Sequence, residues 1–271
     1  MLIGEQISLS RLLEHGCEES VGLQHDPAGM AREAAGLMGK PGEEDIMLDT
    51  ESDTAAYGGQ FSKARELTQR ASESAREALV GNTSQAKQQA QASLALSNGK
   101  DAEAMSAVAL GLAGDATQAR RVADDLSKRF PEDPIVQFEY LPMIHSIVTL
   151  QEGNTTTALE ALGPAVPYEF GAINQVGFAL YPIYLRGEAY LAARQGGAAA
   201  TEFQKIIDRP DVVQNEPIGA LSHLGLARAY AMQGGTAKAR SAYQDFFALW
   251  KDADPDISIL KEAKAEYAKL Q

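Results

Sequence analysis

The chain has 271 residues, which at ~150 per domain makes it one large domain, two ordinary ones or an array of small repeats. With 45% apolar and 23% charged residues it belongs with folded globular proteins, outside the range of disordered or collagen-like chains. A net charge of -13 argues against nucleic acid as a partner, because phosphate binding draws its affinity from clustered Lys and Arg that release counterions.

At the start of the chain, Glu5, Arg11 and Glu14 interrupt any apolar run of the length a secretory signal requires. Residues 1–24 match no repeat and are expected to be irregular or a partial helical segment. Cys17 is the single cysteine, so no intramolecular disulfide can form; with His15 it supplies too few ligands for zinc. No metal site and no cofactor are expected.

Further along, Ala-rich segments dominate, with apolar residues returning every three or four positions and no sustained apolar/polar alternation. The fold class is therefore all-α. Residues 61–80 contain neither Gly nor Pro, which predicts one long helix there. Beyond them, "LAGDATQA", "LQEGNTTTA", "RQGGAAATE" and "MQGGTAKAR" are Gly-containing turns, each followed by another amphipathic run.

The longest uncharged stretch, residues 171–185, is interrupted by Asn174, Gln175, Gly177 and Pro182. It falls short of the ~20 apolar residues that span a bilayer. Residues 208–217 read as a loop inserted between repeats, and residues 254–271 as a capping helix. Asp256 or Ser258 would cap that helix, with an apolar stripe through Ile259, Ala263 and Tyr267.

Aligning the turns places a small or apolar residue at Met30, Ala64, Ala86, Ala119, Ala158, Ala199 and Ala239, spaced by 34, 22, 33, 39, 41 and 40. The clearest copies are Gly187-x-x-Tyr190 with Ala199 and Phe203, and Ala227-x-x-Tyr230 with Gly234, Ala239 and Tyr243. Small residues there let two helices approach, while the aromatics fill the gap toward the next unit. This pattern resembles the tetratricopeptide repeat, which implies a helix-turn-helix solenoid over residues 25–253.

A closer resemblance lies in "DPAGMAREAAGLMGKPG", "GGQFSKARELTQRA", "LYPIYLRGEAYLAARQGGAAATEFQKI" and "GALSHLGLARAYAMQGGTAKARSAYQDFFALWKDADPDI". These are similar to the C-terminal tetratricopeptide regions of bacterial eukaryotic-like serine/threonine kinases and related membrane-linked regulators. The resemblance covers roughly residues 26–271 and departs around residues 71–80. The kinase's own parts do not occur: there is no Gly-rich phosphate loop, no catalytic His-Arg-Asp and no Asp-Phe-Gly. The resemblance thus implies a docking or regulatory role and no phosphoryl transfer.

Other groupings read as ordinary structure. His25, His145 and His223 lie in different repeats without a His-Glu-x-x-His spacing, and read as packing or surface residues. Asp252, Asp254 and Asp256 alternate like calcium ligands, but Ile257 and Ala263 occupy the loop's Gly and Glu positions. A turn and helix cap explains them better. Glu18/Glu19, Glu43/Glu44 and Asp124/Asp125 are sequence neighbours that do not face each other on a helix. No catalytic acid or base is assigned.

The resemblance further implies a concave face lined by the first helix of each repeat. Those positions fall on Tyr140, Met143 and Ile147, on Tyr181, Tyr184 and Glu188, and on Leu221, Leu224 and Arg228. Of these, Tyr140, Met143, Tyr181, Tyr184, Glu188 and Arg228 are the candidate partner-binding residues. Two readings stand: a binding groove, or packing between repeats.

The functional expectation is a non-catalytic protein-interaction module that takes a protein or peptide on this face. The alternative is a small-molecule sensor attached to a kinase or transcription regulator, with "FALYPIYL" lining a pocket. Membrane insertion is not expected, pairing with a second copy is possible, and the default compartment is cytoplasmic unless the segment belongs to a longer anchored protein.

Overall fold

A computed structural model describes Gly59 and residues 74–96, 99–170 and 180–270. Residues 1–24 with His15 and Cys17, His25, and most of the long helix expected over residues 61–80 lie outside them. The described residues form twelve α-helices and no strand: α1 (Ser74–Leu79), α2 (Thr83–Leu96), α3 (Lys100–Leu112), α4 (Ala116–Arg129), α5 (Leu141–Gln151) and α6 (Thr155–Ala161). After these come α7 (Tyr181–Ala192), α8 (Gly196–Ile207), α9 (Pro210–Val213), α10 (Pro217–Met232), α11 (Thr236–Leu249) and α12 (Ser258–Ala268). A π-helical turn, Val136–Tyr140, leads into α5, and a 3₁₀ helix, Gly163–Tyr168, follows α6.

The helices pair as hairpins α1/α2, α3/α4, α5/α6, α7/α8 and α10/α11, and each hairpin packs on the next. One local device builds all five. The first helix ends in a left-handed residue, at Gly81, Gly114, Gly153, Arg194 and Gly234, with φ between +61° and +86°. The following residue starts the second helix, its carbonyl accepting from the N–H of an alanine four residues on. Those alanines are Ala86, Ala119, Ala158, Ala199 and Ala239, and all are fully buried. Their intervals are the sequence's own 33, 39, 41 and 40. Asp115 and Asn154 add side-chain caps, accepting from the backbone N–H of Gln118 and Thr157 at 3.1 Å.

Packing between units follows the small-residue rule. Phe203 on α8 is fully buried, wedged between α7 and α10. A Cβ on Gly187 would stand 2.7 Å from its ring, and one on Gly225 2.5 Å. The Tyr184 ring meets Phe203 edge-on, with centroids 5.8 Å apart. Short helices of this kind cannot bury their apolar faces alone, so one continuous core runs from Ala75 to Ala263.

Among the described residues, the first hairpin also reaches the start of α10 and the start of α12. Arg76 on α1 donates from Nη2 to Glu216 Oε1 at 3.1 Å, across 140 residues. The backbone N–H of Asp254 donates to the Gly59 carbonyl at 3.0 Å. Gly81 lies against the start of α12, where a Cβ would stand 3.2 Å from that of Ser258.

Two details differ from expectation. Residues 208–217 hold the one-turn helix α9, because Pro210 supplies a helical φ at its first position. The cap of α12 is Ile257, with no side-chain hydrogen bond, in place of Asp256 or Ser258. Ile257 is itself buried, and that burial fixes where the helix begins.

Arg194 is exposed and occupies the left-handed position that glycine fills in the other four turns. Arg194→Gly should raise unfolding stability by about 1 kcal/mol in urea titration, since a side chain is strained there. Gly225→Ala should lower it by ~1–3 kcal/mol, because the ring of Phe203 has nowhere to retreat.

Candidate functional site

The face predicted to bind a partner is carried by the first helices of the hairpins, α3, α5, α7 and α10, with α12 continuing the series. At its N-terminal end that face is filled by the chain itself. Tyr140, Met143 and Ile147 are buried at the start of and along α5, and the Tyr140 hydroxyl donates to Asp101 Oδ1 on α3 at 2.8 Å. Burial, with Asp101 adding to it, pushes the Tyr140 phenol far above its ordinary pKa.

Tyr181, at the first position of α7, is buried, and its hydroxyl donates to Glu216 Oε2 at 3.1 Å. Glu216 therefore accepts from Tyr181 on one oxygen and from Arg76 on the other. Leu221 and Leu224 on α10 are also buried. Tyr140, Met143, Tyr181, Tyr184, Leu221 and Leu224 thus lie in the packing of the chain.

Toward the C-terminal end the same face becomes polar and partly open. Tyr184, Glu188 and Arg228, three of the six predicted residues, come together here on α7 and α10. Arg228 grips Glu266 of α12 with both arms, Nε to Oε2 at 2.9 Å and Nη2 to Oε1 at 3.0 Å, and its Nη2 lies 3.7 Å from Glu262. Tyr243 on α11 donates its hydroxyl to Glu266 Oε2 at 2.8 Å. The side chains of Arg228, Glu266 and Glu262 keep 23%, 34% and 64% of their surface, so solvent reaches this cluster.

The charges in this recess are set by their neighbours. Burial works against the Arg228 cation, but Glu266 and Glu188 outweigh it and hold the guanidinium firmly protonated. Glu188 has its carboxyl pushed above the ordinary range, chiefly by desolvation, with Glu266 adding repulsion and Arg228 and Tyr184 opposing. Burial and then Glu188 push the Tyr184 phenol well up, so it remains a neutral donor. Chemically the recess presents three carboxylates against one guanidinium, bordered by the phenols of Tyr184 and Tyr243.

Sequence reasoning missed Glu266, Glu262 and Glu216 in this arrangement. Their partners lie 38 residues away for Glu266 and 140 and 35 for Glu216, separations that no local spacing rule encodes. It also missed Arg186, a buried cation on α7 that donates from Nη2 to Glu202 at 2.7 Å and to Glu169 at 3.0 Å. That cluster joins three elements and is closed to solvent, so it reads as a structural lock.

Two further histidines lie elsewhere among the described residues. His145 lines an open cleft of about 380 Å³ with Arg120, Thr149, Thr157 and Glu160. Its pKa is lowered by burial, and Arg120 is tied to Glu152 at 2.6 Å. His223 is likewise lowered by burial. Among the described residues no three His, Cys, Asp or Glu side chains converge as a metal ion would need, and no helix is long and apolar enough to cross a membrane. No protein-family model matches the chain, and neither a curated protein nor a solved structure matches it.

The raised Glu188 carboxyl gives a pH signature. A folded-state pKa above the unfolded value means the folded chain binds the extra proton, so stability is full below the ordinary carboxylate range and falls as pH rises through the folded value. Glu188→Gln should therefore melt higher than the parent at pH 7, and the gap should close on acidification below pH ~4. Thermal melts across that range check it.

Proposed function

We propose that this chain is a non-catalytic protein-interaction module built from tetratricopeptide-like hairpins, which docks a protein or peptide segment at the open end of its first-helix face. The observation that carries the reading is the pair Glu262 and Glu266 at Arg228, partly exposed on helices α10 and α12, with Glu188 of α7 set deeper beside them. More carboxylates than guanidinium at this cluster favour a segment bearing Lys or Arg. Arg228 and Tyr243 hold Glu266 in place, so the acceptor geometry exists before a partner arrives. The role this suits is a docking or regulatory unit of a signalling protein, as the kinase-associated resemblance implies.

Random-peptide display on the immobilised chain tests the reading. Enriched peptides should carry Lys or Arg beside an aromatic residue, and their affinity should fall about tenfold in a Glu188→Gln/Glu262→Gln variant and again with added salt. Peptides without a basic residue, or equal binding by the variant, would sink the proposal.

A further inference from the structure

Among the described residues the exposed large apolar side chains are Ile135, Phe138, Val166, Tyr168 and Phe170, and all of them come from two short elements that touch each other. Ile135 and Phe138 belong to the turn entering α5; the other three belong to the 3₁₀ helix after α6 and the two residues beyond it. They are 39–54% exposed. The rings of Phe138 and Tyr168 stack with centroids 5.2 Å apart and planes 28° from parallel. The Arg209 guanidinium lies over the Phe170 ring at 5.1 Å. Soluble chains ordinarily scatter such residues singly, so their convergence marks an interaction surface.

The patch is also held rigid from behind. Val136 and Tyr140, on the other side of the turn from Phe138, are fully buried. Glu169, between Tyr168 and Phe170, is locked to the buried Arg186, with Nη2 to Oε2 at 3.0 Å. The lock turns the two neighbouring rings outward and leaves little ordering cost on binding.

We propose that this patch is the interface of a two-fold dimer, its occupant being the same patch of a second copy of the chain. At ~200 Å² for each of the three aromatic side chains, less for Ile135 and Val166, and about half exposure, the five offer ~450 Å² per copy. A symmetric pair buries ~900 Å², in the range of weak, transient contacts. Each copy brings both a stacked ring pair and a cation already seated on a ring, so the surface can face itself across a two-fold axis as an isologous contact requires. Two copies of net charge -13 repel, which keeps the pair weak and makes it tighten when salt screens that repulsion.

Sedimentation velocity from about 5 to about 200 µM, the range in which an interface of this size is half formed, tests the proposal. The dimer fraction should rise with concentration and rise further in ~0.5 M NaCl, where the Debye length is only a few Å. Phe138→Ser/Tyr168→Ser should remain monomeric throughout while its circular dichroism matches the parent, with a melting temperature lower by a few degrees for the lost ring stack. Phe170→Ser alone should weaken pairing several-fold. A chain that stays monomeric at every concentration, a dimer that survives the double substitution, or a dimer that salt dissociates would each overturn it.

Discussion

Glu216 ties the first described hairpin to the start of α10, in the last hairpin, and to α7 between them. Its two carboxylate oxygens take a proton donor each from Arg76 on α1 and Tyr181 on α7. A stack of helical hairpins can curve gently and leave a trough, or curve until its first unit meets its last. Among the described residues the first hairpin reaches the last through Arg76 and Glu216. Tyr140, Met143, Tyr181 and Leu221 are buried against neighbouring helices, although their chemistry would suit a groove.

The closure does not extend evenly. Toward α12 the inner face turns from apolar to charged, and Arg228, Glu262 and Glu266 keep contact with solvent. A guanidinium held by a carboxylate with both arms, itself held by a phenol, is a preorganised polar surface. On the opposite side of the problem, the Arg186 cluster spends similar groups on structure: buried and fully paired, it positions the segment that carries Tyr168 and Phe170. One protein thus uses the same ion-pair chemistry once as a surface and once as a lock, and burial decides which.

The hairpin repeat was legible because its causes are local. A left-handed turn residue, a cap and a buried alanine sit within six residues, so their spacing survives in the sequence wherever the turn recurs. Gly187 and Phe203 were legible for a related reason, since a missing Cβ facing an aromatic ring is the commonest way two helices come close. Arg194 escaped notice because it stands in a glycine's place without looking like one. Of the first-helix face, Tyr184, Glu188 and Arg228 were placed together by helical spacing. Glu266 and Glu216 were not, because their partners come from distant repeats.

The sequence by itself determined the all-helical class, four of the five turns and the positions of the buried alanines, and the scarcity of catalytic or metal-binding motifs. These follow from hydrogen bonding and packing within one or two turns of helix. Only the tertiary structure decided how far the array curls, which aromatic residues of the first-helix face are sealed, and where the exposed ring pair Phe138 and Tyr168 comes together. Those outcomes depend on small angles between successive hairpins, which add along the chain and leave no mark in any single repeat.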